Sequence, residues 1–406
     1  MSSADPQGLQ AFPDELSTRE AWLEPFDWYR RMREEAPVRY DPARETWDVF
    51  RYGDVRRILE DDGTFSVDLR QSNTYQQPDR PEEELIFETM LFQDPPRHDE
   101  LRGVVEDAFR PSELAGLEGR IREIADELVT DALEGDGTVE FVADVAYPLP
   151  VIVIAELLGV PSDDRDRFKQ WSDALVASSA GGSDEGVYEE YQQSLYEMAT
   201  YFLEALEERR TDPRDDLLTT IATAERDDGS RLSQEEALGT CILLLVAGNI
   251  TTTNLLANAV RSFLDAGIDD PREAAGLPAA IEEALRYRSP VQAMSRVATT
   301  DVRLGRAEIE AGDGVIAWMG SANRDEREFP DPDTFVPDRN PTRHLAFGHG
   351  THYCLGAPLA RLEARVALGE FYDRVEGVEL AETSLEPTRS SFVYGVESLP
   401  LRVDRS

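Results

Sequence analysis

Apolar residues recur at three- and four-residue spacing through 111–264, the period of helices that bury one face. Within that stretch 121–133 and 188–210 fit amphipathic helices, and Asp212-Pro213 and Asp227-Asp228-Gly229 mark loops. The longest helical candidate is 233–264. Ser233 with Glu235 and Glu236 suits an N-terminus, and the middle is apolar on every face, so the pattern predicts a helix running through the core. At ~1.5 Å per residue it spans roughly 45 Å. A further helix, 277–287, stops just before Ser289-Pro290. Residues 38–40 and 46–50 alternate like the strands of a hairpin, and 298–310 and 314–319 read as short strands. A coil rich in Pro and Asp, 323–343, leads to a glycine-containing loop at 347–356 and then to a helix at 357–371. The expected fold is mainly α with small β-sheets, one domain over 1–406, with the long helix at its centre.

Charge changes this picture more than composition does. Asp and Glu outnumber Lys and Arg by 82 to 41, a formal charge of -41, and Lys169 is the one lysine. The acids are spread along the whole chain. They predict a solvated surface suited to molar salt, where the Debye length shrinks to ~3 Å, as in a halophilic archaeon. An apolar content of 41% excludes a disordered acidic chain, and the charge excludes nucleic acid as a partner. Two cysteines, Cys241 and Cys354, exclude a disulfide framework and predict a reducing, cytoplasmic location. No export signal opens the sequence, and no unbroken apolar run approaches the ~20 residues of a membrane span.

The candidate chemistry centres on Cys354, in the run Phe347-Gly348-His349-Gly350-Thr351-His352-Tyr353-Cys354-Leu355-Gly356. A thiol just before a helix is favoured as thiolate by unpaired N–H groups and the helix dipole, and Pro358 suits an early helical position. Cys354 can be a metal ligand, a nucleophile or an inert cysteine beside a turn. His98 and Arg102, at i, i+4, either grip a carboxylate together or are solvated surface groups. Glu283 and Arg286, at i, i+3, read alone as an ordinary helical ion pair. Ala247-Gly248-Asn249-Ile250-Thr251-Thr252 lies midway along the long helix. It either opens a polar notch or permits close packing at Ala247 and Gly248. Cys241, in an apolar helix, reads as core. Four histidines and two cysteines do not suit a zinc site.

Taken in order and at their spacings, these pieces resemble the soluble prokaryotic cytochrome P450 family. The run Phe347-Gly348-x-Gly350-x-His352-x-Cys354-x-Gly356 is similar to its haem-binding signature. Glu283-x-x-Arg286 resembles its helix-K motif. Ala322-Asn323-Arg324-Asp325 and Phe329-x-Asp331-Pro332-Asp333-x-Phe335 are similar to the meander before the haem loop. Asp94-Pro95-Pro96-Arg97-His98-x-x-x-Arg102 resembles the entry to helix C. The resemblance implies a haem-thiolate monooxygenase with haem b as cofactor and Cys354 as axial ligand of the haem iron. It implies that His98, Arg102, Arg296 and His352 hold the propionates, with Phe347, Gly348 and Gly356 around the thiolate. Glu283, Arg286 and Arg339 become a buried structural network. Ala247 and Gly248 make room for oxygen on the central helix, and Thr251 serves it.

One position departs from the family pattern. The residue before the family threonine is commonly an acid, and here it is Ile250, which carries no proton. Asn249, Thr252 and waters are left to maintain the relay, or peroxide serves as the oxidant. The region lacks the arginine with which the family's fatty-acid peroxygenases hold a carboxylate. Substrate contacts are expected from 65–92, 168–202 and 391–394, with Leu244, Val291, Met294 and Val393 in a pocket for a hydrophobic small molecule. The expected partners are a ferredoxin or flavodoxin and its NAD(P)H-dependent reductase, docking at Arg110, Arg339, Arg343 and His344 on a monomeric enzyme. The rivals are a peroxide-driven oxidase and a non-enzymatic haem-thiolate sensor or carrier.

Overall fold

The computed structural model describes residues 13–75, 88–161, 164, 167–168, 170–171, 174, 185–226, 229–339, 341–388, 390 and 392–405. Its helices of seven or more residues are α1 (Phe26–Glu35), α2 (Tyr52–Glu60), α3 (Arg97–Val105), α4 (Glu118–Leu133), α5 (Pro148–Leu158), α6 (Glu185–Thr211), α7 (Leu217–Thr223), α8 (Gln234–Asp265), α9 (Leu277–Tyr287) and α10 (Ala357–Tyr372). The strands are β1 (Val38–Asp41), β2 (Thr46–Val49), β3 (Phe65–Ser66), β4 (Thr138–Glu140), β5 (Met294–Ala298), β6 (Val302–Leu304), β7 (Ala307–Ile309), β8 (Gly314–Ala317), β9 (Val375–Leu380) and β10 (Pro400–Arg405). The chain is mainly α with small sheets, and it divides into two compact units.

The first unit comprises residues 1–83, 258–354 and 384–397. Its sheet runs in the order β1-β2-β8-β5-β3, with β2 and β8 parallel and the other neighbours antiparallel. Val49, Val315 and Ala317 of the sheet bury against Val55, Ile58 and Leu59, which line one face of α2 at three- and one-residue steps. The strand expected at 298–310 is in fact the end of β5 followed by the hairpin β6–β7. β5 begins four residues earlier because Arg296, polar in the sequence pattern, is buried in the sheet opposite Val315.

The second unit comprises 84–257, 355–383 and 398–406. Ile121, Ile124, Ala125 and Val129 of α4 and Leu359, Val366 and Ala367 of α10 bury the facing sides of two packed helices. Ion pairs between Arg365 and Glu118, Arg122 and Glu370, and Arg374 and Asp126 link them at the rim. β10 pairs antiparallel with β4 and β9.

α8 starts one residue after the expected point. The Ser233 hydroxyl accepts from the Glu236 N–H at 3.1 Å while the Glu236 carboxylate accepts from the Ser233 N–H at 2.7 Å, a reciprocal cap. By length and composition α8 could cross a membrane, with a mean hydropathy of 1.6 over 18 residues, yet 61% of that stretch is buried inside the protein. It is a core helix. Gly248, Asn249 and Thr251 interrupt its apolar run without making the helix polar.

Candidate functional site

The first unit carries the cysteine loop. Gly348 and Gly350 have φ of 74° and 71°, a region closed to most side chains, and they fold the chain so that the Cys354 N–H donates to the Phe347 carbonyl at 2.9 Å. A Cβ on Gly350 would stand 2.8 Å from the Leu59 carbonyl oxygen and 2.9 Å from the Glu60 Cα. The loop is thus pressed onto the backbone at the end of α2. Two further straps reach the same region: Arg56 Nε donates to His349 Nε2 at 3.0 Å, and the Thr351 hydroxyl to Asp62 at 2.5 Å. Cys354 is exposed, and Phe347 and His352 are half-buried around it. Nothing in the sequence pattern identified α2 as the wall behind this loop; the second glycine of Gly348-x-Gly350 was the available signal. Gly350→Ala is expected to strain the backbone by ~1–2 kcal/mol from φ alone, in addition to the steric clash. It should lower the thermal unfolding temperature, with far-UV circular dichroism at 20 °C unchanged.

Behind the loop lies a charge network. Glu283 and Arg286 of α9 are both fully buried, and the guanidinium makes two bonds to the carboxylate, at 2.7 and 2.8 Å. Arg286 Nη1 also donates to the carbonyls of Asn323 and Pro332, at 3.0 and 2.8 Å. Glu283 Oε1 accepts from Arg339 Nε and from the Val336 N–H, each at 3.0 Å. The coil 323–339 therefore hangs its peptide groups on two side chains of one helix. Two further anchors lie in the run Ala322-Asn323-Arg324-Asp325, whose contacts the sequence left unassigned. Asn323 Oδ1 accepts from the Leu345 N–H at 2.6 Å, two residues before Phe347. The Arg324 guanidinium lies 3.4 Å from the Phe26 ring centroid and 3.8 Å from that of Tyr287. Burial there lowers its pKa to about 10.

Two of the four residues expected to dock a redox partner are corrected. Arg339 is spent on Glu283, and the His344 side chain is buried against Glu282 at 2.9 Å. Arg343 and Arg110 are exposed, each beside a carboxylate. On the same unit Val291 bridges Val393, and Met294 opens β5; all three are half-buried. Arg296 is buried, and its Nη1 donates to the Ser295 carbonyl.

The second unit carries His98 and Arg102 one turn apart on α3. His98 is buried with Nδ1 2.8 Å from Asp99, and Arg102 Nε lies 4.0 Å from Glu106. Gly356 is the N-cap of α10, its carbonyl accepting from the Ala360 N–H, with Pro358 in the first turn. On α8 the helix is unbroken through 247–252, so the notch does not come from a loosened backbone. It comes from small side chains. Ala247 is exposed midway along a core helix, and a Cβ on Gly248 would meet only Ile154, at 4.0 Å, which rules out tight packing as the reason for that glycine. The Thr251 hydroxyl donates to the Ala247 carbonyl at 2.8 Å, and Thr253 does the same to Asn249 at 3.0 Å. Leu244, Asn249 and Thr252 are buried, as is Cys241, whose thiol burial pushes up in pKa. The sequence reading overlooked Glu363, an acid at i+4 from Leu359 and i−3 from Val366 on the buried face of α10. That interruption of an apolar stripe was its signal. Of the expected substrate-contact stretches, 76–87, 169, 172–173, 175–184 and 391 lie outside the described residues.

An exposed thiol on a glycine-bent loop ahead of a helix is a single soft donor, and among the described residues no cluster of three His, Cys, Asp or Glu offers a competing metal cage. With a core helix that is open at Ala247, this donor set fits a haem-thiolate protein. The cytochrome P450 family model matches residues 269–392. The chain is 42% identical over 398 residues to cytochrome P450 109 of Bacillus spizizenii, covering 96% of this chain and 94% of that one. It is 42% identical over 357 residues to the erythromycin C-12 hydroxylase of Saccharopolyspora erythraea, covering 86% of each. Among solved structures, CYP109E1 from Bacillus megaterium in complex with testosterone superposes with a TM-score of 0.85 at 40% identity, over 95% of this chain and 99% of that one. The chain belongs to the cytochrome P450 family. It is a haem-dependent oxidoreductase, and the family's cofactor is haem b.

Proposed function

We propose that this protein inserts one atom of dioxygen into a hydrophobic small molecule, with Cys354 as the axial thiolate of haem b and residues 1–406 acting as one catalytic domain. The observation that carries this reading is the exposed Cys354 thiol on a loop strapped to α2. Bound haem supplies the electron-transfer and dioxygen chemistry. In this reading His98, Arg102, Arg296 and His352 hold the propionates, and Phe347, Gly348 and Gly356 enclose the sulfur. Ala247 and Gly248 leave room on α8, where Thr251, Thr252 and Asn249 handle protons. Leu244, Val291, Met294 and Val393 offer the substrate no charge, and the steroid and macrolide named for the relatives support a bulky, largely apolar substrate. Electrons come from a ferredoxin or flavodoxin with its reductase. Arg110 and Arg343 remain as its cationic contacts, and the enzyme works as a monomer.

A steroid and macrolide panel screened by Soret shift identifies binders. With ferredoxin, reductase, NAD(P)H and labelled dioxygen, the expected product carries one labelled oxygen. Product formed only with hydrogen peroxide favours the peroxide-driven reading that Ile250 raises. Binding without turnover under any oxidant marks a sensor or carrier. The charge of -41 supports halophily through relief of self-repulsion by salt. The unfolding temperature is expected to rise from low to molar KCl, and equal stability in both counts against it.

A further inference from the structure

Gln292 is a polar side chain between the apolar Val291 and Ala293, and it is fully buried. A buried amide persists where its polar atoms find partners. Here Oε1 accepts from the Tyr29 hydroxyl at 2.9 Å, and Nε2 donates to the Ser289 carbonyl at 2.6 Å. Tyr29, on α1, is fully buried as well. Burial pushes the ionisation of its phenol well above the ordinary range, so the hydroxyl stays a donor. Ring contacts with Trp28 and Trp318, at centroid distances of 5.5 and 5.7 Å, fix the orientation of the phenol. Both ends of the amide are therefore held by groups inside the core.

Main-chain bonds hold the same residue from two further sides. The Gln292 N–H donates to the Phe392 carbonyl at 2.7 Å, and the Gln292 carbonyl accepts from the Gly320 N–H at 2.9 Å. Val291 bridges Val393, and the Tyr394 N–H donates to the Pro290 carbonyl at 2.8 Å. Gly320 lies in the helical turn Met319–Ala322, and its φ does not call for glycine. Gln292 does. A Cβ at position 320 would stand 1.8 Å from Gln292 Oε1 and 2.5 Å from its Cδ. The glycine and the glutamine are matched parts of one fit.

Val291 and Met294 flank Gln292 within two positions, and both are half-buried where Gln292 is not exposed at all. The segment thus has its anchor on one residue and its partly open side chains on the neighbours.

We propose that Gln292 is a positioning residue for substrate selectivity. Clamped by Tyr29 and fitted against Gly320, it sets where Val291 and Met294 stand, and so which apolar groups the pocket admits. This rests on the monooxygenase reading above and names what holds one wall of its pocket. Gln292 acts through its neighbours and touches no substrate.

The test titrates the haem-loaded protein with a series of 1-alkylimidazoles, from methyl to octyl, followed by Soret shift. The imidazole nitrogen binds the metal, and the alkyl tail reports on the pocket wall. Three variants disturb the clamp from different sides. Tyr29→Phe removes only the hydroxyl, Gln292→Leu removes the amide, and Gly320→Ala pushes a methyl group into it. The clash in Gly320→Ala falls on the end of a flexible side chain, so that variant should fold even where Gln292→Leu does not. The wild type should bind long tails more tightly than 1-methylimidazole. In each folded variant the affinity for 1-methylimidazole should stay unchanged, while affinity for the longest tails falls severalfold. A matching loss for 1-methylimidazole and the long tails marks a purely structural role and overturns the proposal. So does an unmoved tail dependence in either Tyr29→Phe or Gly320→Ala. A wild type whose affinity ignores tail length overturns the pocket reading together with the proposal. One with no Soret response to 1-methylimidazole overturns the haem-thiolate reading as well.

Discussion

Cys354→Ser is expected to fold, to lose the strongly red-shifted Soret band of the reduced CO complex, and to lose turnover. The loop does not depend on the sulfur for its shape. The backbone bond from Cys354 to Phe347 and the fit of Gly350 against α2 use main-chain atoms, and a serine satisfies both. What changes is the donor: a hydroxyl is neither soft nor ionised at neutral pH, so it cannot push electron density onto a haem iron. Loss of an outer-shell partner typically costs ~10–100-fold in metal affinity or activity, and loss of the donor itself should exceed that. Far-UV circular dichroism equal to wild type, with turnover lost, is the expected pair of results. Retention of the red-shifted band in Cys354→Ser would falsify the assignment.

Glu283→Ala and Arg286→Ala should each prevent accumulation of folded, haem-loaded protein at 37 °C. Glu283→Ala strands the fully buried Arg286, Arg286→Ala leaves the buried Glu283 with Arg339 as its counter-ion, and breaking a buried pair costs ~3–5 kcal/mol. Against a total stability of about 5–15 kcal/mol, that is a large share. The two should differ in detail. Arg286→Ala also orphans the carbonyls of Asn323 and Pro332, whereas Glu283→Ala orphans Arg339 Nε and the Val336 N–H. The double variant should cost less than the sum of the two because the stranded partner is gone. Urea unfolding at 15 °C, where the single variants can be obtained folded, measures all three. A cost below 1 kcal/mol for either single change would show that the network does not hold the coil.

Local signals made the helices legible and long-range ones did not. Ser233 with Glu236 marked the start of α8 to within one residue, and α9 ends at Tyr287, as Ser289-Pro290 implied. These are signals that act within four residues. The candidacy of Cys354 was legible through the resemblance of its loop to the haem-binding signature; read alone, the thiol left ligand, nucleophile and inert cysteine open. The docking cations failed for the opposite reason. The resemblance had already placed Arg339 with Glu283, but whether His344 faces water or Glu282 depends on a fold-back of sixty-two residues, and nothing next to His344 records it. Glu363 was hidden likewise: an acid on a helix reads as solvated until the neighbour that buries it is known.

The Thr251 hydroxyl donates its proton to its own helix, at the Ala247 carbonyl 2.8 Å away. To serve anything outside the helix it must give that bond up, and a neutral hydrogen bond is worth ~0.5–1.5 kcal/mol net. A weak acceptor such as a neutral apolar ligand cannot outbid a peptide carbonyl, whereas an anionic oxygen, with bonds roughly twice as strong, can. In the monooxygenase reading the residue would therefore discriminate by charge, staying parked while the substrate arrives and being released only when negative charge develops beside it.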